Sequence, residues 1–315
     1  MLLVCFILQC TETSEDIDYR MGMREFVQAI SAYARIYDHD FIVIPQNGQE
    51  LLTDNGEVTG NIVDEYIAAI DGVGREDLWY GYEQDNEPTP AAERLYMIGY
   101  LDLVGVYGIE VLAIDYCWTD SLVDDSYYKN DAKGYISFAA HRRELDSIPQ
   151  YPLEPYNMNN DDIADLTHAR NFLYLINPCL YNSKQEFLDD CASTAYDLLI
   201  IDLFAGSGEQ LTSTDIAGLT TKSNGGQRLV IAYMSIGEAE DYRYYWLDDW
   251  STQPPSWLSE ENPEWPGNYK VEYWDEEWQS VIFGNDSSYI KRIIDAGFDG
   301  VYLDIIDAFE YFENR

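Results

Sequence analysis

Carboxylates and amides recur in this chain directly after apolar runs. Gln46 and Asn47 follow Phe41–Pro45, and Asp115, Tyr116 and Trp118 end the run that starts at Glu110. Asp202 closes 198–201, while Ser235, Glu238, Glu240 and Asp241 follow 229–234. Trp274 and Asp275 follow 269–273, and Asp304 and Asp307 close the last run. A carboxylate set after several apolar residues is costly to desolvate, so it is paired, hydrogen-bonded or used in chemistry. Two acids facing each other can cleave a glycosidic bond. One protonates the leaving oxygen; the other attacks the sugar carbon or activates water. Asp115, Asp202, Glu240 and Asp304 form the candidate catalytic set. For each acid alone, strand-end hydrogen bonding or a salt link to a base such as Arg243 is an equal alternative. Oxygen ligation of calcium or magnesium is a further one, but no Asp-x-Asp-x-Asp-Gly loop supports it, and neither metal nor cofactor is expected.

Aromatic residues add a second signal. Of eight Trp, Trp246, Trp250, Trp257, Trp265, Trp274 and Trp278 crowd between 246 and 278, interleaved with four prolines. An indole is a large apolar plate with one donor, suited to the apolar face of a sugar. The same plates also pin long loops to a rim, and the two duties are compatible.

These residues need a frame that gathers strand ends. Met23–Tyr37 carries apolar residues at helical spacing, and a second helix is expected near 90–104. Eight short strands are expected at Phe41–Pro45, Asp77–Tyr82, Glu110–Cys117, Asn171–Ile176, Tyr196–Leu203, Arg228–Ser235, Tyr269–Trp274 and Phe298–Asp304. Gly134–Ala140 is a ninth candidate for eight places, so at least one assignment lies outside the sheet, with Asp77–Tyr82 the weakest. Continuous apolar strands imply cover on both faces, as in a parallel sheet wrapped by helices. The expectation is an α/β fold, a (β/α)8 TIM-type barrel over 21–315, whose strand ends converge on one mouth. A doubly wound open sheet is the runner-up, although no Gly-x-Gly-x-x-Gly or phosphate-binding loop accompanies it. Residues 141–170, rich in Pro, Asn and Asp, read as one long connection.

The chain has 315 residues and a formal net charge of −40, which makes nucleic acid and anionic membranes poor partners. With 46% hydrophobic residues it can bury a sizeable core. Acidity that serves only solubility is the plainer reading. Residues 1–20 are expected to be a leader and linker: the apolar opening ends near Cys10, which stands where the acylated cysteine of a bacterial lipoprotein would. That gives a secreted or cell-envelope location, with a plain signal or a structural segment as alternatives. No transmembrane segment is expected, because no run reaches 18 apolar residues. Cys5, Cys10, Cys117, Cys179 and Cys191 show no metal-like spacing with His39, His141 and His168.

Val230–Arg243, Pro255–Leu258, Glu261–Lys270, Gly297–Tyr311 and Ile44–Gly48 resemble the TM1410-like glycoside hydrolases, barrel proteins similar to glycoside hydrolase family 114, the endo-α-1,4-polygalactosaminidases. The resemblance covers about 20–315. In many relatives the segments resembling 171–315 come first, so this chain resembles a circular permutation whose join is the 141–170 connection. Glu240, Asp241 and Arg243 match the family pattern Ser-x-Glu-Asp-Trp-Arg, with Tyr242 replacing Trp. Asp304 and Asp307 match the aspartates of Gly-Val-Glu-Pro-Asp-Asn-Val-Asp, whereas Tyr302 stands where that pattern has Glu. The resemblance implies a pair of Asp304 and Glu240, supported by Asp202 or Asp115. Gln46, Asn47, Tyr82, Tyr116, Tyr233, Glu238, Arg243, Trp274, Tyr302 and Asp307 are the expected substrate-binding residues. The implied activity is a glycosidase, endo-acting on an α-linked, amino-sugar polysaccharide. A non-catalytic carbohydrate-binding barrel is the alternative that Tyr302 favours, and a metal-dependent hydrolase is third.

Overall fold

A computed structural model describes residues 17–206 and 208–315. The expected leader, with Cys5 and Cys10, lies outside the described residues. No helix among the described residues is long and apolar enough to cross a membrane.

The chain opens with α1 (Tyr19–Tyr37), capped by Asp18, whose carboxylate accepts from the Met21 amide at 2.9 Å. Its face of Met23, Phe26, Val27, Ile30 and Ala34 is buried. Strands and helices then alternate: β1 (Ile42–Pro45), α2 (Asp64–Ile67), β2 (Gly72–Glu76), α3 (Ala91–Gly105), β3 (Glu110–Tyr116), α4 (Asp120–Lys133) and β4 (Ile136–Ala140). After the 141–170 connection, which holds only one short 3-10 turn, come β5 (Phe172–Leu175), α5 (Lys184–Ala192), β6 (Leu198–Asp202), α6 (Ser213–Leu219) and β7 (Leu229–Ser235). Three small strands follow, β8 (Glu238–Glu240), β9 (Leu258–Glu261) and β10 (Asn268–Val271), then α7 (Glu276–Ile282), α8 (Tyr289–Ala296), β11 (Gly300–Asp304) and α9 (Ala308–Glu313).

The protein is mixed α/β with parallel sheets. Five strands pair in the order β1-β11-β7-β6-β5 and three in the order β2-β3-β4, all in parallel. A single parallel bridge, Gln46 with Gly74, ties β1 to β2. β4 lies beside β5 with no ladder between them, so the hydrogen-bonded ring expected of a closed barrel is not complete among the described residues.

Two strand expectations are corrected. The weak candidate Asp77–Tyr82 is a loop, and the strand is the preceding Gly72–Glu76. Its two glycines carry no side chain, so it lacks an apolar run. A Cβ on Gly74 would lie 1.9 Å from the Tyr302 hydroxyl, which is why a small residue stands there. The expected strand at Tyr269–Trp274 belongs instead to the antiparallel sheet β8-β10-β9, a flap between β7 and α7. Gly134–Ala140, the surplus candidate, supplies β4.

Candidate active site

Strand register decides which side chains share a face, because alternate residues point to opposite sides of a sheet. Ile44 pairs with Tyr302, and Tyr302 with Tyr233, so Gln46, Tyr233, Asp304 and Asp202 fall on one face. The Gln46–Gly74 bridge places Glu76 on that face too. Gln46, Glu76, Tyr233 and Asp304 lie toward the C-terminal ends of their strands and line a cavity of about 310 Å³, whereas Asp202 borders a neighbouring cavity instead.

At its floor a single amide holds two acids. The Gln46 Nε2 donates to Glu76 Oε2 at 2.7 Å and to Asp304 Oδ1 at 3.1 Å. The two oxygens are therefore no further apart than these bonds laid end to end. Tyr174 OH donates to Gln46 Oε1 at 2.9 Å, which fixes the amide with its nitrogen toward the acids. Glu76 also accepts from Asn47 Nδ2 at 3.3 Å and from Tyr116 OH. Asp304 accepts from Tyr233 OH at 2.6 Å and from the Ile305 amide at 2.8 Å. Neutral donors surround this pair, and no arginine or lysine bonds to it among the described residues.

That environment raises both acids. Burial, and then the charge of Glu76, push Asp304 up to about 8 against the pull of the Tyr233 hydroxyl. Burial, and then the charge of Asp77, raise Glu76, with Tyr116 opposing. Two acids this close titrate as a pair, and the pair keeps one proton near neutrality.

Backbone geometry points to the same three residues. Each is followed by a non-glycine residue of positive φ: Asn47 at 61°, Asp77 at 59° and Ile305 at 58°. A left-handed conformation is costly, above all for β-branched Ile305. The sharp turns end each strand directly after Gln46, Glu76 and Asp304.

The other expected residues divide. Asn47, Tyr116, Tyr233, Glu238, Glu240, Arg243 and Asp307 line the cavity. Glu240, expected to act with Asp304, shares the cavity with it but is bound by a guanidinium. Arg243 Nε holds its Oε2 at 2.6 Å, while the Arg243 fork grips Asp202 at 2.8 and 2.7 Å. Glu238 is buried on Lys270 Nζ at 2.6 Å and Asn262 Nδ2 at 2.9 Å. Asp307 lies at the edge, raised by burial and restrained by Arg75. Arg143 stacks over Tyr116 at 3.8 Å and is committed to Asp77 and Asp85 at 2.8 and 2.7 Å.

Asp115, Tyr82, Trp274 and Tyr302 do not reach the cavity. Asp115 neighbours Tyr116 and so points to the other face. There it accepts from the amides of Trp79 at 2.6 Å and Tyr80 at 3.1 Å, from Ser126 Oγ at 2.6 Å and from Asn130 Nδ2 at 3.0 Å. It is a buried clasp between α4 and the 77–82 loop. Tyr82 is exposed, its hydroxyl on Glu93 at 3.3 Å. Trp274 packs on Tyr19 and Phe312, ring centroids 5.1 and 4.7 Å away. Tyr302 fills the interior beneath Asp304, 5.2 Å from the Tyr174 ring. Of the crowded tryptophans, Trp246, Trp250, Trp257 and Trp278 form an edge-and-face ladder under the flap, whereas Trp265 faces the cavity.

Glu76 is the functional candidate the sequence reading missed. Its signal was the Glu76-Asp77 acid pair after Gly72, Gly74 and Arg75, with no apolar run to mark a strand end. Among the described residues, no cluster of three or more His, Cys, Asp or Glu is arranged to hold a metal ion.

Residues 170–315 match the model of glycoside-hydrolase family GH114. This C-terminal part of the chain is similar to that family. The match takes in Asp202, Glu240, Arg243, Asp304 and Asp307, while Gln46, Glu76 and Tyr116 lie before it. An uncharacterized protein of Methanocaldococcus jannaschii is 43% identical over 153 residues, 49% of this chain and 42% of that protein. Uncharacterized proteins of Thermotoga maritima and Deinococcus radiodurans are 42% and 39% identical over 132 and 131 residues, 42% of this chain in each case and 39% and 40% of theirs. The chain thus spans about two-fifths of the length of the curated relatives it matches.

Proposed function

We propose that the protein is a retaining glycoside hydrolase whose reacting acids are Asp304 and Glu76. The observation that carries this reading is the shared Gln46 amide, which holds the two carboxylates near the spacing of about 5–5.5 Å used by retaining enzymes. The ionised member attacks the anomeric carbon and forms a glycosyl ester. The protonated member gives its proton to the departing glycosidic oxygen, then takes one from the water that cleaves the ester. Gln46, Tyr116 and Tyr233 hold the acids in place. Arg243 keeps Asp202 and Glu240 as a compact, compensated wall.

A (β/α)8 barrel with one unlaced seam is the frame we assign. Its support is the order of the eight parallel strands, β1 to β7 and then β11, with β1 bridged to β2 and β4 beside β5. The family match from residue 170 onward suits a circularly permuted order with 141–170 as the join. The substrate we assign is an α-linked polysaccharide carrying amino sugars. The acidic cavity, with Asp307 at its edge, suits a protonated amine. The apolar opening of the sequence supports a secreted or envelope-bound protein, with Cys10 as a lipid anchor.

The non-catalytic reading rested on Tyr302 in place of Glu. The interior position of Tyr302 weakens it, because Glu76 supplies a carboxylate on the same face. Purified protein should release reducing ends from α-1,4-galactosaminoglycan, or from one of a panel of α-glucans and galactans. Early products should keep the α configuration by NMR. Saccharide binding without products would favour the binding barrel, and β products would exclude the retaining pair.

A further inference from the structure

A second cavity, of about 640 Å³, opens beside the reaction chamber. The two share Ile176, Asn177, Tyr242, Arg243 and Trp265, which frame a neck between them. Chemistry changes across that neck. The reaction chamber is walled by Glu76, Glu238, Asp304 and Asp307. The second is walled by Pro178, Cys179, Phe204 and Ala205, with one acid, Glu144, at its solvent-exposed margin beside Arg142 at 3.7 Å. Asp202 also borders it, but both its oxygens are taken by Arg243 at 2.8 and 2.7 Å. At the neck, Trp265 is 47% and Tyr242 62% exposed, so two large rings stand in water beside the reacting acids.

We infer that the next unit of the same saccharide chain occupies this second chamber, and that it carries an N-acyl group rather than a free amine. A chain cut at Asp304 and Glu76 has a continuous way onward through the neck, where Trp265 offers a plate for a sugar's apolar face. A protonated amine beyond the neck would lose its hydration and meet Asp202 and Glu144 each already beside a guanidinium, Arg243 and Arg142. An acyl methyl there would leave water for Pro178, Cys179 and Phe204. The inference rests on the glycosidase reading of the first chamber and adds a selectivity to it.

Binding to the full-length Asp304→Asn protein, which should hold substrate without cutting it, separates the two. The probes are hexamers of α-1,4-linked galactosamine, fully N-acetylated, half N-acetylated or fully de-N-acetylated, titrated calorimetrically. The half-acetylated hexamer should bind tightest. Adding Trp265→Ala should weaken it about tenfold, the worth of one aromatic platform. Adding Cys179→Phe, which fills the second chamber alone from an exposed position, should bring it down to the affinity of the de-N-acetylated hexamer. Binding that ignores acetylation and both second substitutions would overturn the inference while leaving the glycosidase reading intact. Failure of all three hexamers to bind would overturn both.

Discussion

Replacing Glu76 with Gln keeps the size of the side chain and removes one charge, so it asks how strongly the two acids feel each other. Their nearest oxygens are bounded by the Gln46 bonds of 2.7 and 3.1 Å. At roughly 5.5 Å and an effective dielectric constant of about 20, two unit charges repel by about 3 kcal/mol. At about 1.4 kcal/mol per unit, that is about two pH units. Asp304, pushed up to about 8 in the intact protein, should therefore titrate near about 6 in Glu76→Gln, still above an ordinary aspartate because burial remains. The assay is carbon NMR of the side-chain carboxyls in protein labelled at aspartate, with the Asp304 signal identified by its loss in Asp304→Asn. A midpoint that moves by less than half a unit, or moves up, would refute the idea that the two charges share one small space.

Asp304→Asn should lower turnover by about 10³-fold or more, read as release of reducing ends. The same change should stabilise the protein at high pH. A carboxyl whose folded-state pKa is raised binds its proton more tightly folded than unfolded, so its penalty is absent below about pH 4, grows through the interval and is complete above about 8. Thermal melts should show a gain on the order of 2 kcal/mol at pH 9, after allowance for the open cavity, and none at pH 3.5. Arg243→Met leaves Asp202 and Glu240 buried without their cation and should cost about 3–5 kcal/mol in urea unfolding. Asp115→Ala strands four buried donors and should cost about 3 kcal/mol, with turnover of the folded protein unchanged. Tyr302→Phe removes a buried hydroxyl that has no partner among the described residues, so stability should hold or rise by about 1 kcal/mol and activity should persist. A tenfold loss of activity there would return Tyr302 to the site.

Strand ends marked by an apolar run were legible in the sequence. Asp304, Tyr233 and Gln46 follow Val, Ile and Leu residues, and their convergence at one mouth follows from parallel strands alone. Glu76 was not legible, because Gly72 and Gly74 are chosen for what their neighbours occupy, Tyr302 above all. Tyr269–Trp274 misled for the opposite reason: its apolar residues pack the flap against the tryptophan ladder instead of a parallel neighbour. Asp115 looked like Asp304 by position, yet one residue of offset within a strand turns a side chain from the cavity to the helices. The setting of Glu240 depends on a contact between distant segments, since nothing in the sequence says that Arg243 reaches both Glu240 and Asp202.

How the few cations are placed sets the proposed reacting pair apart from its neighbours. The chain has 18 basic residues against 58 acidic ones, so most carboxylates must do without a partner of opposite charge. Around the cavity the available guanidiniums go to Asp202 and Glu240 through Arg243, and to Asp77 and Asp85 through Arg143. Asp304 and Glu76 receive amide and phenol donors instead. Such donors hold the carboxylates in place but add no positive charge, and so leave the pair free to hold its proton near neutrality. An arginine within reach of Asp304 would strip that proton by pulling the acid back toward the ordinary carboxylate range, and the site would keep its shape while losing its acid. A lysine at position 46 would have that effect: Gln46→Lys should restore ordinary aspartate titration at Asp304 and abolish turnover, with the parallel strands intact by circular dichroism. Titration still near 8 in that variant would mean that burial alone sets the acid, and that the neutral ring of donors is incidental.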